Sequence, residues 1–132
     1  LRGAMMLVTN MWFNLAVKDL KKSIAFYKAI GFEIMQRPEQ VGHMFGIQAG
    51  ASSPIMFVEH PTFHSYLQQE VTGQDVLISL SVTSEKDLDD LIVRVTEAGG
   101  SLVQPKHQRD GFLGCVFQDI DHHFFNVLAF ND

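Results

Sequence analysis

Residues 11–33 decide the fold, and they read Met-Trp-Phe-Asn-Leu-Ala-Val-Lys-Asp-Leu-Lys-Lys-Ser-Ile-Ala-Phe-Tyr-Lys-Ala-Ile-Gly-Phe-Glu. In the first part of this stretch the side chains alternate with a period of two, which is typical of a β-strand. One face of the predicted strand holds Phe13, Leu15 and Val17, and the other holds Trp12, Asn14 and Ala16.

An amphipathic helix is predicted to follow this strand directly. Asp19 stands at the N-cap position, where its carboxylate can accept a hydrogen bond from a free N–H group of the first turn. Apolar side chains then recur at helical spacing, at Leu20, Ile24, Tyr27 and Ile30. Gly31 ends the helix, because glycine readily adopts the positive φ that follows a helix C-terminus. A two-sided strand joined to such a helix needs a partner sheet.

The second half of the chain repeats this order. Residues 75–82 alternate like the first strand, and Ser79-Leu80-Ser81-Val82 aligns with Asn14-Leu15-Ala16-Val17. Ser84 is a predicted N-cap, with Asp87 three residues further on as a capping-box variant. The helix that follows has the clearest helical pattern of the chain, at Leu88, Leu91, Ile92, Val95 and Ala98.

The remaining predicted strands complete two βαβββ modules. These strands are 32–35, 41–49, 54–60, 101–104, 112–118 and 124–130. The first module spans residues 5–60, the second spans residues 75–132, and residues 61–74 form a linker with one short helix around 63–69. The predicted fold class is therefore α+β, with two modules that form an open, curved mixed sheet and carry their helices on the outside. The faces without a helix are expected to curve round each other and enclose a cleft.

Composition and charge argue against several classes of function. The net charge of −5 and the lack of a Lys/Arg cluster argue against a nucleic-acid partner. No apolar run approaches the roughly 20 residues that a membrane-spanning helix needs. The single cysteine, Cys115, has no internal disulfide partner, which favours a cytoplasmic location. Cys115 lies within a predicted strand with no Lys or His nearby in sequence, so we expect a buried, inert thiol. Leu1-Arg2-Gly3-Ala4 does not begin a signal peptide, and we expect the natural start at Met5 or Met6.

Five motifs follow one another at characteristic distances. They are Val17-Lys18-Asp19-Leu20, Ala25-Phe26-Tyr27, Ala29-Ile30-Gly31-Phe32, Glu97-Ala98-Gly99-Gly100 and Phe117-Gln118-Asp119-Ile120-Asp121. In this combination the chain resembles the vicinal oxygen chelate superfamily of glyoxalases, bleomycin-resistance proteins and extradiol dioxygenases. It is most similar to the bacterial branch of predicted lactoylglutathione lyases. The resemblance implies a homodimer and, in metal-dependent members, one His or Glu ligand on each of four strands.

The four positions that the resemblance implies as metal ligands hold Trp12, Phe57, Leu77 and Asn126. Indole, phenyl and isobutyl groups offer no lone pair to a cation, and one neutral amide does not offset the dehydration of a divalent ion. We therefore predict no metal and no other cofactor in the cleft. The alternative is a divalent metal ion at a non-standard site, with ligands such as Glu59, His60 and His64 or from a partner subunit.

The residues that are expected to line the cleft indicate a site for a small organic molecule. Apolar contact area would come from Trp12, Phe57, Leu77 and Phe124, and orientation from Asn14, Ser79 and Asn126. The chain is thus predicted to bind a small, partly apolar or aromatic molecule in a metal-free cleft, with no nucleic-acid or membrane partner. The alternatives are a lyase or dioxygenase-type enzyme that uses the non-standard metal site, and a dimeric interaction module.

Two further residues carry expectations of their own. Glu59 shares a strand face with Phe57, so we expect it to reach the cleft as a candidate catalytic group for proton transfer. The simpler alternative is an exposed glutamate at a strand end. His122 stands where similar sequences have the glycine of an Asp-Gly turn, and we expect the turn to have relaxed so that no positive φ is needed.

Overall fold

The computed structural model describes residues 12–67, 76–109 and 111–129, which contain seven strands and three α-helices. The strands are β1 (Phe13–Val17), β2 (Met44–Ile47), β3 (Ile55–Glu59), β4 (Leu77–Val82), β5 (Ser101–Arg109), β6 (Phe112–Gln118) and β7 (Phe124–Ala129). The helices are α1 (Leu20–Ala29), α2 (His60–Leu67) and α3 (Glu85–Glu97), with a short 3-10 helix at Pro38–Gln40. None of the described helices is both long and apolar enough to span a membrane.

The two longer helices begin where the sequence predicts. The Asp19 carboxylate accepts a hydrogen bond from the N–H of Lys22 at 3.0 Å, which caps α1. The Ser84 hydroxyl accepts one from the N–H of Asp87 at 3.1 Å, which caps α3. Each cap satisfies one of the free N–H groups of the first turn, and each contributes about 1 kcal/mol to helix stability.

In both sheets the first strand of the module lies at an edge and pairs with the last strand. The strand order is β1-β3-β2 in the first sheet and β4-β7-β6-β5 in the second. In each sheet the first strand of the module runs parallel to the last, which pairs antiparallel with the strand before it. This repetition confirms the predicted α+β fold of two βαβββ modules.

Four elements differ clearly from their predicted extent. The predicted strand at 41–49 is shortened to β2 at Met44–Ile47. The predicted strand at 32–35 is reduced to a single bridge between Met35 and Gly46. β5 continues beyond residue 104, through two irregularities in its pairing with β6. α2 begins at His60, the last residue of the predicted strand 54–60, and has Pro61 of the predicted linker in its first turn. A proline is compatible with this position because the N–H groups of a first turn have no partner within the helix.

One buried core joins the two modules. It contains residues of both sheets together with α1 and α3. Tyr27 of α1 has its ring centroid 4.5 Å from that of Phe57 in the first sheet and 6.2 Å from that of Phe125 in the second. All three rings are fully buried. Burial of each such aromatic side chain stabilises the fold by roughly 2–3 kcal/mol.

Phe57 belongs to this core, so its predicted place in the cleft is wrong. In the parallel ladder of β1 and β3, Leu15 lies opposite Phe57. Phe57 therefore shares the face that packs against α1, where its ring stacks on Phe45 at 4.9 Å. The neighbouring residue Met56 lies beside Asn14 on the opposite face. An error of one residue in register moves a side chain to the other side of a sheet.

Each sheet has one face that points away from the core. This face is exposed near the N-terminal end of the first strand of the sheet, β1 or β4. Trp12 is 56% exposed and Leu77 is 57% exposed. Ala16 and Val58, at the other end of the first sheet, are buried outside the core cluster. The predicted enclosure of Trp12 and Leu77 is therefore not achieved within a single chain.

Candidate ligand-binding site

Four of the predicted ligand-binding residues lie side by side on the open face of the second sheet. The parallel ladder of β4 and β7 places Leu77 opposite Phe124 and Ser79 opposite Asn126. We call these four residues the β4–β7 patch. The Asn126 amide donates a long hydrogen bond, 3.4 Å, to the Ser79 hydroxyl. The patch thus combines two apolar side chains with an adjacent amide–hydroxyl pair.

The open face of the first sheet is mainly apolar. Trp12 and Asn14 are exposed on or just before β1, and Met56 lies next to Asn14 on β3. Met56 therefore takes the place that the sequence analysis assigned to Phe57. A thioether is flexible and polarisable, so it adapts to ligands of different shape.

Glu59 lies on the other side of the first sheet from Asn14 and Met56, because it alternates with Val58. Its carboxylate accepts a hydrogen bond from the Thr62 hydroxyl at 2.9 Å and lies 3.7 Å from Nδ1 of His43. Its side chain is 29% exposed. The expectation that Glu59 points into the cleft is therefore wrong, and it failed for the same reason as Phe57. A partly exposed glutamate at the end of a strand describes it better.

His60 and His64 lie one turn apart on α2, a spacing that places them on one side of the helix. Within residues 12–67, 76–109 and 111–129, no group of three or more His, Cys, Asp and Glu side chains is arranged to hold a metal ion. On the open faces, the donor atoms at the predicted ligand positions are amide and hydroxyl groups of Asn14, Ser79 and Asn126. This donor set is neutral and does not suit a divalent transition metal.

Sequence reasoning missed a buried polar network that links the two modules. The Asp119 carboxylate accepts hydrogen bonds from the Tyr27 hydroxyl at 2.6 Å and from Nδ1 of His123 at 2.6 Å. The N–H groups of Asp121 and His123 donate to the same carboxylate at 2.9 and 2.8 Å. Nearby, the Lys18 N–H donates to the Asp121 carboxylate at 2.9 Å. The turn before β7 is thereby bonded to α1 and to the end of β1.

The charges of this network set the protonation of its members. Burial raises the pKa of Tyr27 well above its usual range, and Asp119 raises it further, so the hydroxyl stays a donor. Burial lowers the pKa of His123, but the hydrogen bond to Asp119 and the charges of Asp119 and Asp121 raise it, and the net shift is upward. His123 is therefore held towards its protonated form beside the carboxylate.

The stability of the protein should depend on the protonation of His123. A raised pKa in the folded state stabilises the fold fully below the unfolded pKa of about 6.5, and this contribution is lost as pH rises through the folded pKa. We expect the difference in urea midpoint between wild type and His123→Asn to be largest near about pH 6 and to shrink towards about pH 9. His60→Asn, which replaces a histidine at an exposed position, serves as the control substitution. A difference that grows with pH would contradict the assignment.

His122 adopts a φ of 69°, so the expectation of a relaxed turn is wrong. The turn keeps its shape because its backbone groups are bonded: the His122 N–H donates to the Asp119 carbonyl at 3.1 Å, and its carbonyl accepts from the Gln118 amide at 3.2 Å. The left-handed region is unfavourable for a histidine and favourable for glycine.

His122→Gly should therefore stabilise the protein by about 0.5–1 kcal/mol, as the relief of backbone strain outweighs the greater freedom of glycine when unfolded. Urea denaturation measures the effect, with His107→Gly in β5 as a control that should destabilise. Destabilisation by His122→Gly would show that the turn gains more from the imidazole than it loses in strain.

Cys115 is 1% exposed in β6. Burial raises the pKa of its thiol to about 11. The thiolate is the reactive form, so this cysteine is inert towards nucleophilic chemistry in the folded protein.

Comparison with known proteins relates the chain to others in sequence and in fold. A family model described as bleomycin resistance protein-like, N-terminal, matches residues 9–50. The structure of hypothetical protein SA1046 from S. aureus is 40% identical in sequence, has a TM-score of 0.87, and is matched over 94% of this chain and 95% of that chain. A search of curated proteins found no significant match.

Two more distant structures show the same fold. A glyoxalase/bleomycin resistance protein/dioxygenase family enzyme from Burkholderia phytofirmans PsJN is 21% identical, with a TM-score of 0.75 and coverage of 89% of this chain and 95% of that chain. Lactoylglutathione lyase from Agrobacterium tumefaciens is 14% identical, with a TM-score of 0.63 and coverage of 92% of both chains. The chain therefore belongs to the same family as SA1046, and it shares its fold with proteins named for glyoxalases, bleomycin resistance proteins and dioxygenases.

Proposed function

We propose that this protein binds a small, partly apolar or aromatic molecule on its open sheet faces, without a metal ion. The observation that carries the proposal is the β4–β7 patch, in which the Ser79–Asn126 pair adjoins Leu77 and Phe124. Small-molecule sites are built in this way: apolar area supplies affinity, and a few polar groups fix the orientation of the ligand.

We further propose that the protein is a homodimer in the cytoplasm and that the partner subunit closes the site. Trp12 and Leu77 are more than half exposed in the single chain. Large apolar side chains left in water on a sheet face mark an interaction surface. A second copy that covers these faces would turn an open surface into an enclosed pocket.

Ligand binding is tested with the neutral aromatic dye 1-aminoanthracene and the full-length protein. The chain has one tryptophan, so its tryptophan fluorescence, excited selectively, reports on Trp12 alone. Saturable dye fluorescence together with quenching of Trp12 is the expected result. Asn126→Leu and Phe124→Ala should weaken dye binding at least about tenfold, which corresponds to about 1.4 kcal/mol. Val93→Ser, at an exposed apolar position of α3, is the matched control and should bind like wild type.

The metal question is tested by elemental analysis after dialysis without chelator. We expect no stoichiometric nickel, zinc, iron or manganese. Full occupancy that Glu59→Gln abolishes would instead support the alternative, an enzyme such as a lactoylglutathione lyase or dioxygenase with a non-standard metal site. Glu59→Gln should leave dye binding nearly unchanged if the proposal holds, because Glu59 lies on the opposite side of the sheet from the open face.

A further inference from the structure

A cavity of about 600 Å³ runs along the outer edge of β4. All six residues of this strand, from Leu77 to Val82, line it. Neighbouring residues of a strand point to opposite faces of the sheet, so a cavity that touches all six must follow the edge itself. The far wall is apolar and is formed chiefly by Phe13, Ile30, Phe32, Ile47, Ile55 and Leu91. We call this space the β4 edge cavity.

The edge of β4 that borders the cavity has no strand beside it in the part of the chain that the structure describes. Every second residue of an edge strand directs its N–H and C=O groups away from the sheet. Such groups are stable only when they bond to water or to a partner. The cavity therefore combines a row of backbone donors and acceptors with an apolar wall.

The described lining of the cavity disfavours a charged occupant. Among the residues that the structure describes, none that lines the cavity is charged, and the polar side chains there are the hydroxyls of Ser52, Ser53, Ser79 and Ser81 and the amide of Gln48. A charged group would lose hydration here without gaining a counter-ion. The volume is typical of small-molecule sites, which measure about 300–1,000 Å³, and a six-residue edge is about 20 Å long. These dimensions fit a short, extended molecule rather than a folded partner.

We propose that the β4 edge cavity binds a short, uncharged peptide or peptide-like amide, which extends along β4 as an added strand. Its backbone bonds to the free edge, and its apolar side chains pack against the far wall. This inference rests on the proposed function, because Leu77 and Ser79 belong both to the β4–β7 patch and to the cavity. It goes further in naming the class of ligand and in assigning recognition to the backbone of β4.

A titration with defined peptides tests the proposal. The probe is acetyl-Val-Ser-Val-Ser-amide, added to the ¹⁵N-labelled full-length protein and followed by the amide shifts of β4. Two analogues carry N-methyl groups, one on both valine nitrogens and the other on both serine nitrogens. Successive N–H groups of an extended peptide point to opposite sides. Because the valine side chains must face the apolar wall, either the valine N–H groups or the serine N–H groups face β4, but not both sets. We expect one analogue to bind at least about tenfold more weakly and the other to bind nearly as well as the probe.

Variants of the chain locate the binding. Phe13 is 53% exposed and forms part of the far wall, so Phe13→Ala should fold normally and weaken peptide binding severalfold. Ser53→Trp should block the cavity and weaken binding at least about tenfold. The matched control is Phe112→Ala, which removes another partly exposed ring, 41% exposed, that does not line the cavity. It should leave peptide binding unchanged.

Three results would overturn the inference: no saturable shift in β4, equal affinity of both analogues, or Ser53→Trp binding as wild type does. A dimer of the wild-type protein that Ser53→Trp converts to a monomer would also overturn it, because a second copy would then occupy the edge.

Asn126→Leu separates the two proposals, since Asn126 lies in the patch but does not line the cavity. It should weaken dye binding at least about tenfold and preserve peptide binding. Failure of the dye alone would refute the proposed function and leave the peptide result standing.

Discussion

Asp119→Ala is expected to lower the free energy of unfolding by about 3–5 kcal/mol, the largest effect of any single substitution considered for this protein. The Asp119 side chain is fully buried. Its carboxylate holds the Tyr27 hydroxyl, the His123 ring and two backbone N–H groups. Removal of the carboxylate leaves a buried hydroxyl and a partly buried imidazole without their acceptor, and each unpaired group costs free energy.

Urea denaturation with two companions separates the contributions to this loss. Tyr27→Phe removes one hydrogen bond and keeps the ring, so it should cost only about 1–2 kcal/mol. Asp90→Ala removes an exposed carboxylate that pairs with Lys86 at 3.0 Å, and it should change the urea midpoint very little. If Asp119→Ala behaved like Asp90→Ala, the buried network would not hold the modules together.

Gly114→Ala is expected to destabilise the protein by about 2–3 kcal/mol, the second largest effect. A Cβ atom at Gly114 would lie 2.5 Å from the carbonyl oxygen of Val127 and 3.1 Å from a methyl group of Leu128. The backbone oxygen belongs to the neighbouring strand β7, so the clash is relieved only if β6 and β7 separate. Overpacking against backbone is costly because the ladder hydrogen bonds resist the movement.

Gly46→Ala provides the matched control in the first sheet. Its Cβ atom would approach the Met56 sulfur at 2.7 Å and backbone only at 3.6 Å. The thioether is the flexible end of a side chain on the open face, so it can turn aside, and the cost should stay below about 1 kcal/mol. Thermal or urea denaturation compares the two. Equal losses of stability would mean that the resistance of the strands to movement determines the cost at both positions, and that the flexibility of the contacting side chain does not.

Local sequence patterns predicted the helices and most strands correctly. The caps at Asp19 and Ser84 form the predicted hydrogen bonds, because an N-cap depends on residues three positions apart in the chain. The strands β6 and β7 follow the alternation of their residues, so Phe124 and Asn126 were assigned to the correct face. The motifs that carry the family resemblance lie in both halves of the chain. They therefore predicted that one chain contains both modules.

The errors concern features that no local pattern contains. Phe57 and Glu59 were placed on the wrong face because β3 is apolar on both sides, and alternation alone does not say which side faces the helix. His122 keeps a positive φ because Asp119 and Gln118 bond to it across the turn. Tyr27 and Asp119 are 92 positions apart in the chain, so nothing local indicates their hydrogen bond.

The amino-acid sequence by itself determined the two βαβββ modules, the ends of the longer helices and the apolar–polar alternation of the second sheet. These features follow from interactions between residues that are close along the chain. The tertiary structure alone decided that Tyr27, Asp119 and His123 meet, that Met56 rather than Phe57 faces outward, and that a cavity follows the edge of β4. Such features depend on the register and packing of distant segments, which the burial of one shared core selects.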